Sequence, residues 1–407
     1  MDAAVRRNFS LGILHEGLWG AAMGLVSPFT ILPLAAHALG RSVADAGLME
    51  AALFAGINAP QLLAAFVFGP RFSAAKACAW LHTPCLAGSA LACLSLIWPG
   101  LDPDLRWKLF LGAFILHYVG MGIVVPSWAA LSSRNIPKAL LGRYFGSCFA
   151  ASGALGILTG SLGAWLAGRG GLEWGYAACC AAAFGLQVVS VVLLGMTRPI
   201  GPEPDAPGKL GSFLRSQWAR LHGQPAFLAF FAVYFLMQFA GGAAQLFTSL
   251  LKDQGVADIV FVWLSPAMAI GGMVGAYGLG HLFDARGGRL PWALAFSAGL
   301  GSLASLYFSN GHLLLLAGAF AGAGLFNAAY SAINMPWLLS FAGSSQTPAV
   351  MGLVSTLISP WCFLAPYLLG HLARNAGMGA AFSLSAGAGL CALLLVSLHP
   401  ALGRKEA

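Results

Sequence analysis

Twelve runs of mostly apolar residues, each roughly 20 or more long, follow one another along the chain. They lie at 10–36, 46–68, 77–98, 107–131, 142–167, 173–194, 225–250, 258–282, 291–309, 313–340, 348–372 and 377–398. About 20 such residues let a helix cross the hydrocarbon of a bilayer. There, every backbone N–H and C=O must be paired within the segment, because no water is at hand. The predicted fold is therefore an all-α membrane protein of twelve transmembrane helices. Composition points the same way: of 407 residues, 58% are hydrophobic and 8% charged, with a mean hydropathy of +0.79. Soluble domains carry about a quarter charged residues.

The formal charge of +8 is spread singly between apolar runs, without the clustered basic patch that nucleic acid needs. An anionic lipid surface is the simpler partner. All eight cysteines fall in apolar runs and form no C-x-x-C pair, so they read as reduced, buried hydrophobes. No metal-ligand spacing, phosphate loop or converging nucleophile and base is visible. Neither a cofactor nor an enzymatic activity is expected. Arg6 and Arg7 ahead of an apolar run imitate a signal peptide, but that run exceeds the usual h-region of roughly 7–15 residues and reads as the first spanning helix.

Between Met196 and Gln224, four prolines occur with Glu203, Asp205, Lys209, Arg215 and Arg220. This break predicts a linker (196–224) between an N-terminal six-helix bundle (1–195) and a C-terminal one (225–407). With both termini cytoplasmic, 15 Lys and Arg lie on that side against 6 on the other, the bias expected of an inner-membrane protein. At a shift near 210 residues, Pro126-Ser127-Trp128 answers Pro336-Trp337, Gly142 answers Gly352, and 69–72 answers 280–283. Such echoes support two pseudo-symmetric bundles.

Joining the eighth and ninth runs is Gly280-His281-Leu282-Phe283-Asp284-Ala285-Arg286-Gly287-Gly288-Arg289, a charged turn that must lie at a membrane surface. Its spacing, G-x-L-x-D-x-x-G-x-R, resembles the loop signature of the major facilitator superfamily of secondary transporters. The resemblance implies a latch in which Gly280 and Gly287 shape the turn, Asp284 is the carboxylate, and Arg286 and Arg289 are its basic partners. An acid beside a helix N-terminus gains from exposed N–H donors. The expected recipient is the start of the eleventh helix near Thr347 and Pro348; an ordinary solvated turn is the alternative. The N-terminal copy, from Gly69 through Arg71 to Lys76, lacks the acid, which leaves Arg143 of the Leu141–Gly146 run in need of another partner or of lipid phosphate.

Glu16 lies about 6 residues, or roughly 9 Å, into the first apolar run. Gly12, Glu16, Gly20 and Gly24 fall on one stripe, so Glu16 should face protein. It is a candidate for proton coupling, or else half of a structural ion pair with Arg143 or Arg134. His15 is about 100° around the helix and is not expected to meet it. His117, mid-helix in the fourth run, is a second proton candidate or a packing residue; His82 reads as packing.

Uncharged polar residues concentrate in the seventh and tenth runs: Tyr234, Gln238 and Gln245, then Asn327, Tyr330, Ser331 and Asn334. Asn327, Tyr330 and Asn334 have the i, i+3, i+7 spacing of one face. Because the family lines its cavity with helices one, four, seven and ten, these residues are candidate solute contacts, with interhelical bonding as the alternative. Trp19, Tyr118 and Trp361 are further cavity candidates. Gly153, Gly156, Gly160 and Gly163 partly match the motif of drug/proton antiporters, but Ser161 replaces its proline and Ala164 its last glycine.

The expected function is secondary transport, by alternating access and coupled to protons, of a small neutral, weakly charged or largely apolar solute, by a monomer. Multidrug export and a non-transporting scaffold with the same fold are the alternatives.

Overall fold

The computed structural model describes all residues except 1, 28–30, 42–52, 54, 69–73, 202–208, 248–249, 252–257, 342–346, 400–401 and 403–407. Among the described residues, 9 helices are long and apolar enough to cross a membrane. The chain begins with α1 (Ala3–Leu25), α2 (Ile31–Ala38), α3 (Gln61–Val67), α4 (Ala75–Leu81) and α5 (Thr83–Ile97). Next come α6 (Pro103–Asn135), α7 (Leu141–Gly171), α8 (Ala177–Gly195), α9 (Leu210–His222) and α10 (Pro225–Gly242). The remainder are α11 (Asp258–Arg286), α12 (Arg289–Tyr307), α13 (Leu313–Ala329), α14 (Met335–Ser340), α15 (Thr347–Ala376) and α16 (Met378–Leu398).

Local chemistry accounts for several boundaries. Asp102 caps α6, accepting the N–H groups of Asp104 at 3.0 Å and Leu105 at 3.1 Å, and Pro103 fills the first turn where a missing N–H costs nothing. The single run predicted at 77–98 is broken at His82. Pro84 cannot bond back to Trp80, and the Thr83 hydroxyl instead donates to that carbonyl at 2.6 Å. The linker carries a helix that the sequence did not announce: α9, anchored by Phe213 against Phe66 at 5.5 Å between ring centres.

The helices fall into two compact units. The first comprises Met1–Pro137, Ala151–Phe213 and Ala342–Ser359; the second comprises Lys138–Ala150, Leu214–Phe341 and Pro360–Ala407. The first first-unit core is an aromatic pile of Trp107, Phe110, Phe114 and Tyr118 against Leu25, Ile31 and Leu96. In the second unit, Phe247 and Phe320 pack with Leu264, Leu306 and Leu316.

Lipid is as apolar as leucine, so close approach rather than water exclusion must bind these helices. The small-residue stripe of α1 provides it. A Cβ on Gly20 would overlap Ser152, and one on Gly24 would overlap the Gly156 carbonyl. Thr159 Oγ donates to the Ala21 carbonyl at 2.7 Å across the same seam. The glycines of α7 are thus packing surfaces. Glu16 belongs to this stripe and is buried. Because α1 starts at Ala3, Glu16 lies about 20 Å along the helix axis from its first residue.

Candidate functional site

Within the first unit, four helices and one helix break bring a polar cluster together around Glu16. His15 and Glu16 come from α1, His82 from the α4–α5 break, and Ser89 from α5. His117 and Trp128 come from α6, and Gln187 and Ser190 from α8. All are buried. Contrary to expectation, His15 and Glu16 do meet: Nε2 lies 3.4 Å from Glu16 Oε1. The 100° offset holds for the Cα–Cβ directions, but both side chains are long, and Ser190 draws the imidazole round. His15 Nδ1 is 3.0 Å from the Ser190 carbonyl and 2.7 Å from its hydroxyl, and that hydroxyl donates to the His15 carbonyl at 2.8 Å. Trp128 is the polar neighbour of Glu16 on the α6 side.

His117 donates from Nδ1 to the Cys85 carbonyl at 2.9 Å, with Ser89 Oγ at 3.1 Å. Ser89 in turn donates to Gln187 Oε1 at 2.6 Å. Trp19 stacks on His117 at 6.0 Å and meets His82 edge-on at 5.6 Å, so it joins the histidines. Tyr118 is enclosed by Phe114 and His117. Sequence reasoning missed Ser89, Gln187 and Ser190; their only signal was a polar side chain inside an apolar run. The two arginines that are the alternative partners for Glu16 are engaged elsewhere: Arg134 Nε donates to the Gly201 carbonyl at 3.2 Å, and Arg143 pairs with Asp284.

The second unit carries an aromatic and amide set. Tyr234 and Tyr330 pack at 5.9 Å, and Trp361 meets Phe235 edge-on at 4.8 Å and Phe239 at 6.5 Å. Gln238 donates to the Tyr234 carbonyl of its own helix at 3.2 Å. Asn334 donates to Met237 Sδ at 3.4 Å, while its Oδ1 is buried without a partner among the described residues. The predicted single face of Asn327, Tyr330 and Asn334 does not form. Tyr330–Asn334 is a π-helical turn, whose i→i+5 bonding takes in an extra residue. Asn327 and Tyr330 are consequently exposed and Asn334 buried. The side chain of Gln245 lies outside the described residues.

The charged turn docks where the sequence did not place it. Asp284 caps α7, its Oδ1 accepting the Gly142 N–H at 2.8 Å and its Oδ2 the Arg143 N–H at 2.7 Å. The recipient is thus the fifth spanning helix, not the eleventh. Thr347 instead lies 3.3 Å from Ser133 Oγ, in the first unit. The approach requires glycine on both sides, since a Cβ on Gly142 would overlap Gly280 and one on Gly280 would overlap Gly142. Burial lifts the Asp284 carboxyl above the usual aspartate range, against the pull of its two N–H donors and Arg143. Gly287 ends α11 at φ +75°, its N–H bonding the Phe283 carbonyl at 2.8 Å. Arg289 donates to the His399 carbonyl at 2.9 Å rather than to Asp284, and Arg286 closes the last turn of α11. Arg71 lies outside the described residues.

The sequence profile of the Major Facilitator Superfamily matches residues 17–357. The chain belongs to this superfamily. It is an integral membrane transporter, and solved members share its fold. The E. coli fucose:proton symporter FucP superposes with a TM-score of 0.70 at 14% identity, over 97% of this chain and 98% of that one. The proton:xylose symporter XylE, bound to 6-bromo-6-deoxy-D-glucose, gives 0.71 at 14%, over 98% and 96%. FucP in an outward conformation gives 0.68 at 16%, over 96% and 97%. No curated protein matches the chain by sequence.

Proposed function

We propose that this member of the superfamily carries a small neutral solute across a bacterial inner membrane by alternating access, coupled to protons through Glu16. The observation that supports the reading is one carboxylate buried in α1, read as the first spanning helix, among histidines and a tryptophan. An ionisable group so placed is costly and marks an ion pathway by default. His117, bonded to Ser89 and linked through it to Gln187, belongs to the same polar cluster.

Solute contacts are assigned to Tyr234, Gln238, Asn327, Tyr330, Asn334 and Trp361. They offer amides, hydroxyls and an aromatic face but no charge, which suits a neutral, hydrogen-bonding solute better than an anion needing an arginine clamp. FucP and XylE, which share the fold, are sugar:proton symporters, so deoxyhexoses and pentoses form the first panel. The Asp284 cap on α7 serves as the latch, on the cytoplasmic side with both termini.

The test is uptake of that panel into proteoliposomes with an imposed pH gradient. At least one sugar accumulates above its equilibrium level in the wild type and fails to do so in Glu16→Gln. Equal accumulation with and without the gradient contradicts the reading.

A further inference from the structure

We infer that His15 and Glu16 hold one shared proton between them, with Ser190 fixing which histidine nitrogen takes part. The assignment of the proton rests on geometry alone; its use in transport rests on the function proposed above.

The Ser190 backbone carbonyl lies 3.0 Å from His15 Nδ1, and a carbonyl oxygen only accepts. Nδ1 therefore carries a hydrogen. The Ser190 hydroxyl, 2.7 Å from the same nitrogen, gives its own proton to the His15 carbonyl at 2.8 Å and so can only accept from the ring. A neutral imidazole carries one N–H, which makes Nε2 of neutral His15 a bare lone pair. Nε2 lies 3.4 Å from Glu16 Oε1. Opposite an ionised carboxylate it would be one acceptor against another, in a buried site where unpaired polar atoms are expensive.

Two protonation states make the contact attractive. In one, a neutral Glu16 carboxyl donates to Nε2. In the other, an imidazolium donates from Nε2 to the carboxylate. Both contain one proton more than the Nδ1–H, so the pair holds it in either case, and the two forms differ only by a proton shift between Oε1 and Nε2.

The surroundings leave this proton to the pair. Trp19 faces it from α1 itself, and His82 from the α4–α5 break, 6.0 Å from His15 between ring centres. From α6 come Trp128 at the carboxylate and His117 behind Trp19. The face of α7 beside Gly17 and Gly20 offers Ala151, Ser152 and Leu155, and α8 offers Ser190. Of these, only the histidines can ionise. His82 and His117 obey the same rule as His15. Each Nδ1 is 2.9 Å from a carbonyl, of Cys78 and Cys85 respectively, so each neutral ring presents an Nε2 that accepts.

The test uses the full-length protein in lipid nanodiscs. Nitrogen NMR with labelled histidine reads the His15 ring, assigned through the signal that Glu16→Gln displaces. Infrared difference spectroscopy between wild type and Glu16→Gln reads the carboxyl C=O stretch against pH. The expected spectra show Nδ1 protonated in His15, with Nε2 in a hydrogen bond. The Glu16 titration midpoint moves by about one pH unit in His15→Gln, a tenfold change in proton affinity, and stays in place in His117→Gln. A neutral His15 protonated on Nε2, or an identical midpoint in wild type and His15→Gln, overturns the assignment. Should His15→Gln not fold, the tautomer read on the unsubstituted protein decides. Gradient-driven uptake that survives Glu16→Gln, with these spectra as expected, removes the coupling reading and leaves the shared proton standing.

Discussion

Arg143 meets Asp284 twice. Its backbone N–H donates to Oδ2 at 2.7 Å, and its guanidinium Nε stands 3.7 Å from the same oxygen. The two contacts are unequal. The first N–H groups of α7 have no partner within their helix, and a buried carboxylate both satisfies them and complements the positive end of the helix. The Arg143 side chain is 46% exposed, where solvent and salt screen the pair.

Asp284→Ala should therefore weaken the docked turn by about 1–2 kcal/mol, the typical cost of losing an N-cap. Arg143→Gln, which keeps the backbone donor, should cost at most about 0.5 kcal/mol. Hydrogen exchange over Leu141–Phe145 reads both: protection falls in the first variant and holds in the second. Equal loss in the two would mean that the ion pair, not the cap, does the docking.

Packing along α1 predicts a contrast between glycines. Gly24→Leu drives a side chain into the Gly156 carbonyl and Thr159, and overpacking of this kind costs about 1–3 kcal/mol or more. Gly112→Ala on α6 meets nothing within 4 Å and should be neutral or stabilising by about 0.5–1 kcal/mol. Thermal unfolding of the purified protein in detergent checks both. A Gly24→Leu protein as stable as the wild type would contradict the close α1–α7 seam.

Asn334 should separate stability from transport. Its Oδ1 is buried without a partner among the described residues, and removing such an acceptor is often favourable by about 1 kcal/mol or more. Asn334→Leu is expected to raise the unfolding temperature while increasing KM for the transported solute several-fold. A stabilised variant with unchanged KM would make Asn334 a packing residue and strike it from the solute contacts.

The predicted orientation has its own check. Alkaline phosphatase fused after Gly100 or Gly311 should be active outside the cytoplasm, and fused after Gly287 it should be inactive. Activity at Gly287 would reverse the topology.

Much of the fold was legible because hydrocarbon imposes a length and a composition that a sequence displays directly. The runs at 107–131, 142–167 and 291–309 reappear as α6, α7 and α12, with ends extended by residues such as Pro103 and Arg289 that no hydropathy pattern includes. The turn signature around Asp284 was equally legible, since its spacing is local. Its recipient was not. Gly142 and Gly352 are both glycines at a shift of 210 residues, and nothing in either run says that Gly142 faces Gly280 while Gly352 packs on Gln61 and Ala65. The His15–Glu16 contact escaped for a related reason: helical geometry gives the direction of Cβ, whereas Ser190, 175 residues away, sets where the ring ends. The π-helical turn at Tyr330 leaves no mark in a polar pattern, so the face of Asn334 could be found only in three dimensions.

Solute-driven proton movement is the most direct measure of the central claim. Proteoliposomes in lightly buffered medium receive the transported sugar, and a pH electrode follows the exterior. The wild type is expected to give a sugar-dependent pH change that Glu16→Gln abolishes while its sugar binding persists. A pH change of full size in Glu16→Gln, or sugar transport in the wild type with no pH change, would contradict proton coupling through Glu16.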